Sequence, residues 1–564
     1  MLKLGQFARV VLRRQTLPRK PRLSSLPSLT TTRALAAVGI STTLIFVTSL
    51  AVARSGTSYA GPSSKTSLSV IHCDSGLDDE EDGKGLGGSG KFKRPRWTDE
   101  ECISDKVLSS GPIWFPANRT GIKRCDALIV SANPESEDSI AVYFPDSSDS
   151  PDDRRSYLAL FDGHNGPTMS DILCDNLIEY VARALSELPS QYEDTSDISG
   201  FIDLHDSYSD SSDNVPSNNI TPSVSTHSSN PADDIITDTI KQAFKEFDDA
   251  LIDPTEVLSS PNESKTNAVR SLRYAYSGSC ALMSIYDLDT KVLRVALTGD
   301  SRAVLGRKIH TLNGSDNGMT VKYEVQILSH DQNAHNPHEV RRLENEHPGE
   351  EVVKNGRVMG WGMARAFGDA AYKWSIEVQE KLYEKYLGDR VRENMKTPPY
   401  LTAEPEITAT KIQKGDFLIM ASDGLWDCLT SEEAVGLVGL WLSTNSTVVY
   451  TDNPSKDFPK IQNKSISSRP QDSSGGERVY TRDQLPLKIP LPKDSAADGN
   501  DKTPYYPWWH AQKRFVNKDD SAAAHLTRNA LGGADGDLTE ALLSLGYPRA
   551  RRYRDDVGVI VAFF

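Results

Sequence analysis

The sequence predicts a mixed α and β domain on three observations. Short apolar runs, among them YLALF, CALMSIYDL, VLRVALTGD, DFLIMASDG and VGVIVAFF, have the length and composition of buried strands. Helical patterns at 168–188 (TMSDILCDNLIEYVARALSEL) and 237–252 (TDTIKQAFKEFDDALI) intervene. No repeat period runs through the chain. At 564 residues there is length for a large core.

The chain begins differently from the way it continues. Residues 1–73 hold ten Lys or Arg and no acid, so the net charge of −15 leaves −25 on the remainder. That acidity excludes a nucleic-acid-binding body, which needs a basic footprint. Residues 1–33 are Arg- and Ser-rich and acid-free, the character of a mitochondrial targeting segment. Residues 34–53 (ALAAVGISTTLIFVTSLAVA) are uncharged between Arg33 and Arg54. As a helix they would cross a bilayer core of about 30 Å, which predicts an inner-membrane anchor facing the intermembrane space. A buried presequence helix, with the enzyme in the matrix, is the alternative.

Residues 54–120 read as a flexible linker. Its GKGLGGSGK matches GxGxxG and GxxxxGK, but no strand precedes it, and Phe92 stands where a phosphate loop needs Ser or Thr. The domain proper spans 121–564, with polar segments near 190–234 and 446–504 expected as solvated insertions. Cys73, Cys102, Cys125, Cys174, Cys280 and Cys428 lie far apart, with no CxxC or Cys/His pairing, and read as scattered core thiols.

The chemistry lies where the strands end. YLALF runs into Asp162, Gly163, His164, Asn165 and Gly166. Alone, Asp-Gly after alternating hydrophobics signals a tight turn. Yet other apolar runs reach Asp300, Asp369, and Asp423 with Asp427, while Asp555 and Asp556 open the last strand and Glu137 and Asp138 lie upstream. Burying several carboxylates together is costly unless cations neutralise them. All-oxygen ligands suit Mg²⁺ or Mn²⁺ rather than zinc. Two such ions can clamp a phosphate and activate water, and His164 can supply a proton to a leaving oxygen. With no GxSxG and no Cys/His nucleophile pair, the residues point to a binuclear phosphoester hydrolase.

In order, FDGHNG, SGSCA, GDSRAV, ARAFGD, SDGLWD and RDDVGVIV resemble the motif series of the metal-dependent type 2C protein serine/threonine phosphatases. SANPESED, SHDQNAHNPHEVRRLENEHPGEE, TPPYLTAEPEIT and DDSAAAHLTRNALGG resemble the pyruvate dehydrogenase phosphatase branch and its fungal mitochondrial relatives. The resemblance implies an α+β fold: a four-layer sandwich of two antiparallel β-sheets flanked by α-helices. It implies that Asp162 bridges two Mg²⁺ or Mn²⁺ ions and that the Gly163 carbonyl holds one. Asp423 and Asp555 would ligate directly, and Glu137 and Asp138 through water. A third ion would use Asp300, Asp423 and Asp427, and His164 would be the general acid. Asp369 reads as a conformational acid in a Gly-Asp turn.

Two positions depart from the family. Asn133 stands where many members place a phosphate-binding Arg, so substrate phosphate should lean on the metals. Asn165 replaces a Gly but tolerates left-handed geometry. The implied substrates are phosphoproteins, with the pyruvate dehydrogenase complex as a candidate. A catalytically weak scaffold of the same fold is the alternative, although no expected ligand is missing from the sequence. A hydrolase of small phosphoesters is a third reading.

Overall fold

The computed structural model describes residues 9–11, 68–71, 103–116, 120–145, 154–188, 231–312, 319–450 and 477–564. The segment 34–53 and the glycine-rich stretch near 83–92 lie outside these. Among the described residues no helix is long and apolar enough to cross a membrane.

Two sheets pack face to face. In the first, the strands run in the order Arg9–Val11, Leu68–Ile71, Asp138–Tyr143, Arg155–His164, Ala281–Asp287, Val292–Thr298 and Glu406–Lys411. Apart from the parallel pair at the Arg9–Val11 edge, its pairings are antiparallel. The second sheet orders Met319–Ile327, Arg302–Leu312, Phe417–Ala421, Val557–Phe563, Arg124–Val130 and Ile113–Trp114, all antiparallel.

Alternation along each strand builds the layers, because successive side chains point to opposite faces. Leu158 and Leu160 of the YLALF run enter the core between the sheets, against Ala127, Leu418 and Ile560 of the other sheet. Tyr157, Ala159 and Phe161 point the other way, onto Leu173, Leu177 and Val181 of the helix Thr168–Ser186 and Phe244 of the helix Pro231–Ile252. The second sheet is covered likewise: Val559, Val561 and Phe563 meet Val435, Val438 and Trp441 of the helix Ser431–Tyr450. The result is the four-layer helix–sheet–sheet–helix order that the resemblance implied. The helix read at 237–252 starts at Pro231, a residue suited to a first turn, and Asp233 and Asp234 favour its positive end.

Two segments differ from expectation. Within 54–120, read as linker, Leu68–Ile71 pairs between Arg9–Val11 and Asp138–Tyr143, Ile113–Trp114 extends the edge of the second sheet, and Ile103–Leu108 is helical. Within 446–504, read as solvated, the described part from 477 onward is built into the domain. Arg482 is wholly buried there, 2.5 Å from Glu433 and 2.8 Å from Asp498, and Lys513 bonds Glu433 and Asp501 at 2.7 and 2.8 Å. Polar composition suggested solvent, but these charges neutralise one another inside.

Removing one partner from such a network leaves uncompensated buried charge, typically at a cost of about 3–5 kcal/mol. Arg482→Ala is expected to lower the unfolding free energy in urea by that amount. A change below about 0.5 kcal/mol would refute the account.

Candidate active site

The site gathers where strands of both sheets end. Asp138 and Asp162 are direct partners across adjacent antiparallel strands, so their side chains share a face. Asp300 follows the strand Val292–Thr298, and Asp423 follows Phe417–Ala421 and begins one helical turn. Four residues on, the Asp427 amide donates to the Asp423 carbonyl, which stacks the two acids on one side of that turn.

Their electrostatics show that these acids face one another. Burial pushes Asp162 well above the usual carboxylate range, and so do the carboxylates of Asp423, Asp138, Asp300 and Asp556. Asp423 is raised by burial and then by Asp300, Asp427 and Asp138. Asp138, buried and near Asp556, is pushed up to about 8 although it accepts a 2.7 Å bond from the Ser422 hydroxyl. Asp427 rises to about 6, chiefly by burial. None of the ion pairs among the described residues involves Asp138, Asp162, Asp300 or Asp423. Such a donor set fits hard divalent cations, whose charge would replace the protons that repulsion otherwise imposes.

Glu137 has a different place from these acids. Its carboxylate accepts from the Gly166 amide at 2.6 Å and from the Asn133 side-chain amide at 2.8 Å, and its carbonyl accepts from the Gly163 amide and the Ser170 hydroxyl. It therefore ties the 131–137 loop to the turn that carries Gly163 and His164. The Asn133 side-chain nitrogen donates to both Glu137 and Asp556. Asn133, which stands where many members place a phosphate-binding Arg, thus ties Glu137 to Asp556. Asn165 takes φ 58°, the left-handed conformation anticipated for it.

His164 Nε2 stands 2.6 Å from Asp369 Oδ2, and the edge of its ring contacts Trp361 at 5.3 Å between centroids. Asp369 is a turn residue at φ 46°, as read from the sequence, but it is also the partner of the histidine. Gly278 makes room for the pair, since a Cβ there would lie 2.1 Å from Nε2 and 2.4 Å from Oδ2. Nδ1 is buried and has no hydrogen-bond partner among the described residues.

Two residues have roles that the sequence reading did not assign. Asp556, beside the expected ligand Asp555, is buried and accepts from the amides of Ala132 and Glu137 at 2.5 and 2.7 Å. Asp555 is more exposed and pairs with Arg551, which also lies 4.0 Å from Glu137. Cys280 was taken for a core thiol. Cys125, Cys174 and Cys428 are buried in hydrophobic clusters, but the Cys280 sulfur lies among the acids and donates to Asp300 Oδ1 at 3.2 Å. Its position after SGS was the available signal, because that segment pairs back onto Gly163 and His164.

Comparison with known proteins supplies the family. The family described as protein phosphatase 2C matches residues 201–455. A protein phosphatase 2C homolog of Schizosaccharomyces pombe is 36% identical over 452 residues, 79% of this chain and 81% of that protein. The mitochondrial pyruvate dehydrogenase phosphatase 1 of Saccharomyces cerevisiae is 32% identical, covering 80% of this chain and 70% of its own. The human protein of that name is 30% identical, covering 73% of each.

The two adjacent aspartates should separate by experiment. Asp556→Ala leaves the buried Ala132 amide and the partly buried Glu137 amide without an acceptor, at about 1–3 kcal/mol each, so unfolding in urea should become easier by about 2–6 kcal/mol. Asp555→Ala removes only a partly exposed pair and should change stability by less than about 1 kcal/mol. The opposite ranking would refute this assignment.

Proposed function

The chain belongs to the protein phosphatase 2C family, and from that premise we propose that it hydrolyses phosphoserine and phosphothreonine in mitochondrial phosphoproteins, the pyruvate dehydrogenase complex among them. One observation carries the reading: Asp162, set among buried carboxylates, and His164, held by Asp369, end the same strand two residues apart. Similarity to the mitochondrial pyruvate dehydrogenase phosphatases and the basic, acid-free leader favour the substrate class and the compartment.

In this reading Asp162, Gly163, Asp423 and Asp555 would hold two Mg²⁺ or Mn²⁺ ions, Glu137 and Asp138 would act through water, and Asp300 and Asp427 would complete a third site with Asp423. When bound, the ions supply an activated water and the positive charge that receives the phosphate. The protein supplies the rest. Asp369 holds Nε2 of His164 and fixes the ring, and the imidazolium carries the proton to be given. That proton goes to the seryl or threonyl oxygen as its bond to phosphorus breaks. Glu137 keeps the histidine turn in register with the acids through its bond to the Gly166 amide.

An alkoxide leaves poorly without a proton, whereas a nitrophenolate leaves well unaided. A general acid is worth roughly 10²- to 10⁴-fold. His164→Gln should therefore cut phosphopeptide turnover by that factor and p-nitrophenyl phosphate turnover far less, both at saturating Mn²⁺. Equal losses on the two substrates would refute the role.

The segment 34–53 is proposed to anchor the catalytic domain on the intermembrane-space side, a placement that counts against the pyruvate dehydrogenase complex as the direct substrate. The anchored protein should stay with the membrane in carbonate and become protease-accessible when the outer membrane is ruptured. Release by carbonate, with protection until the inner membrane is opened, would instead make it a matrix enzyme with direct access to pyruvate dehydrogenase.

A further inference from the structure

Just before the last strand the chain places arginines at 549, 551, 552 and 554, and they are used differently. Arg554 is buried and donates to the carbonyls of Leu542 and Ser131 at 3.0 and 2.7 Å. Arg549 lies over the Tyr553 ring at 5.4 Å, and Arg552 is exposed. Arg551 turns toward the acids: it pairs with Asp555, and its Nη2 stands 4.0 Å from Glu137 Oε2. Burial and neighbouring carboxylates raise Asp138 and Asp423, and the Arg551 guanidinium opposes the rise at both. Its charge therefore reaches the acids from their rim.

The turn that carries Arg551 is held in place. Ala550–Arg552 forms a single 3-10 turn with Ala550 buried. Beyond it the Trp509 indole donates to the Tyr553 carbonyl at 3.0 Å, and Trp508 stacks on the Tyr553 ring. The guanidinium nevertheless has donors to spare. Nη1 meets Asp555, whereas Nη2 is too far from Glu137 for a hydrogen bond. The Glu137 carboxylate already accepts from Gly166 and Asn133. A guanidinium carries five N–H donors in a planar fork, so one edge stays open to a bidentate acceptor. The side chain is 35% exposed, which gives a ligand access to that edge.

We infer that Arg551 is a phosphate-binding residue of the active site, receiving two oxygens of the substrate's phosphoryl group on the open edge of its guanidinium. The fork matches phosphate geometry in a way that an ammonium does not. Asn133 touches the same Glu137 carboxylate but brings no charge, so Arg551 supplies a cation of the protein's own on this side of the acids. The inference rests on the proposed phosphatase reaction. Its test reads the binding of inorganic phosphate, so it is decided even if the unaltered chain turns over no phosphopeptide, the result that would sink the reaction itself.

Phosphate binding to the full chain at saturating Mn²⁺ is measured by isothermal titration calorimetry, with Mn²⁺ affinity measured alongside. Arg551→Ala should weaken phosphate at least about tenfold, the loss expected for a charge-assisted pair. Its Mn²⁺ affinity should be equal or tighter, because a repelling charge has gone. An arginine that merely holds Asp555 in place predicts weaker Mn²⁺ binding instead. Arg551→Lys keeps the charge without the fork and should also bind phosphate more weakly than the unaltered chain. Arg552→Ala, one residue on, should bind as the unaltered chain does. In turnover, the Arg551→Ala loss should fall alike on phosphopeptide and p-nitrophenyl phosphate, unlike that of His164→Gln. If the alanine variant misfolds, Arg551→Lys decides. No phosphate binding by the unaltered chain, unchanged phosphate affinity in either folded Arg551 variant, weakened Mn²⁺ binding in Arg551→Ala, or an equal loss in Arg552→Ala would each overturn the inference.

Discussion

Repulsion among buried carboxylates is the constraint on which the rest of the molecule depends. Two unit charges about 4 Å apart repel by about 4 kcal/mol even where the effective dielectric is near 20. A few such pairs match the entire stability of a typical domain, about 5–15 kcal/mol. Asp138, Asp162, Asp300 and Asp423 therefore crowd one another's charges, and a cation among them would relieve the repulsion. The sandwich makes this crowding tolerable by distributing it over strands from both sheets, each anchored by its own ladder and by apolar residues on both faces. Rigidity behind the acids and charge between them are two halves of one arrangement.

Much of this was legible in the sequence, and the reason is local. Leu158, Leu160 and Phe161 declare a strand, and Asp162 and His164 close it in an order that few other chemistries would use. What stayed hidden depends on partners remote in the chain. Asp369 could be read only as a turn acid, because its contact with His164 spans 205 positions. Asp556 was overshadowed by Asp555, although burial divides them: one latches the 131–137 loop, and the other faces Arg551. Arg482 looked like part of a solvated insertion because composition cannot show that Glu433, Asp498 and Lys513 meet inside. Cys280 shares its residue type with thiols that merely fill space, and only its neighbours distinguish it.

The pairing of Val557–Phe563 with Arg124–Val130, and the bond from Ala132 to Asp556 across 424 positions, has a kinetic consequence. Closing a loop of that length costs the unfolded chain about 5 kcal/mol of entropy before the contact returns anything. Folds dominated by such distant pairings form slowly, on the scale of milliseconds to seconds. The first sheet, whose neighbours are mostly closer in sequence, can assemble earlier and would then present the face of Leu158 and Leu160 to solvent until its counterpart arrives. The same distant pairing that covers the face also seats Asp556 against the 131–137 loop.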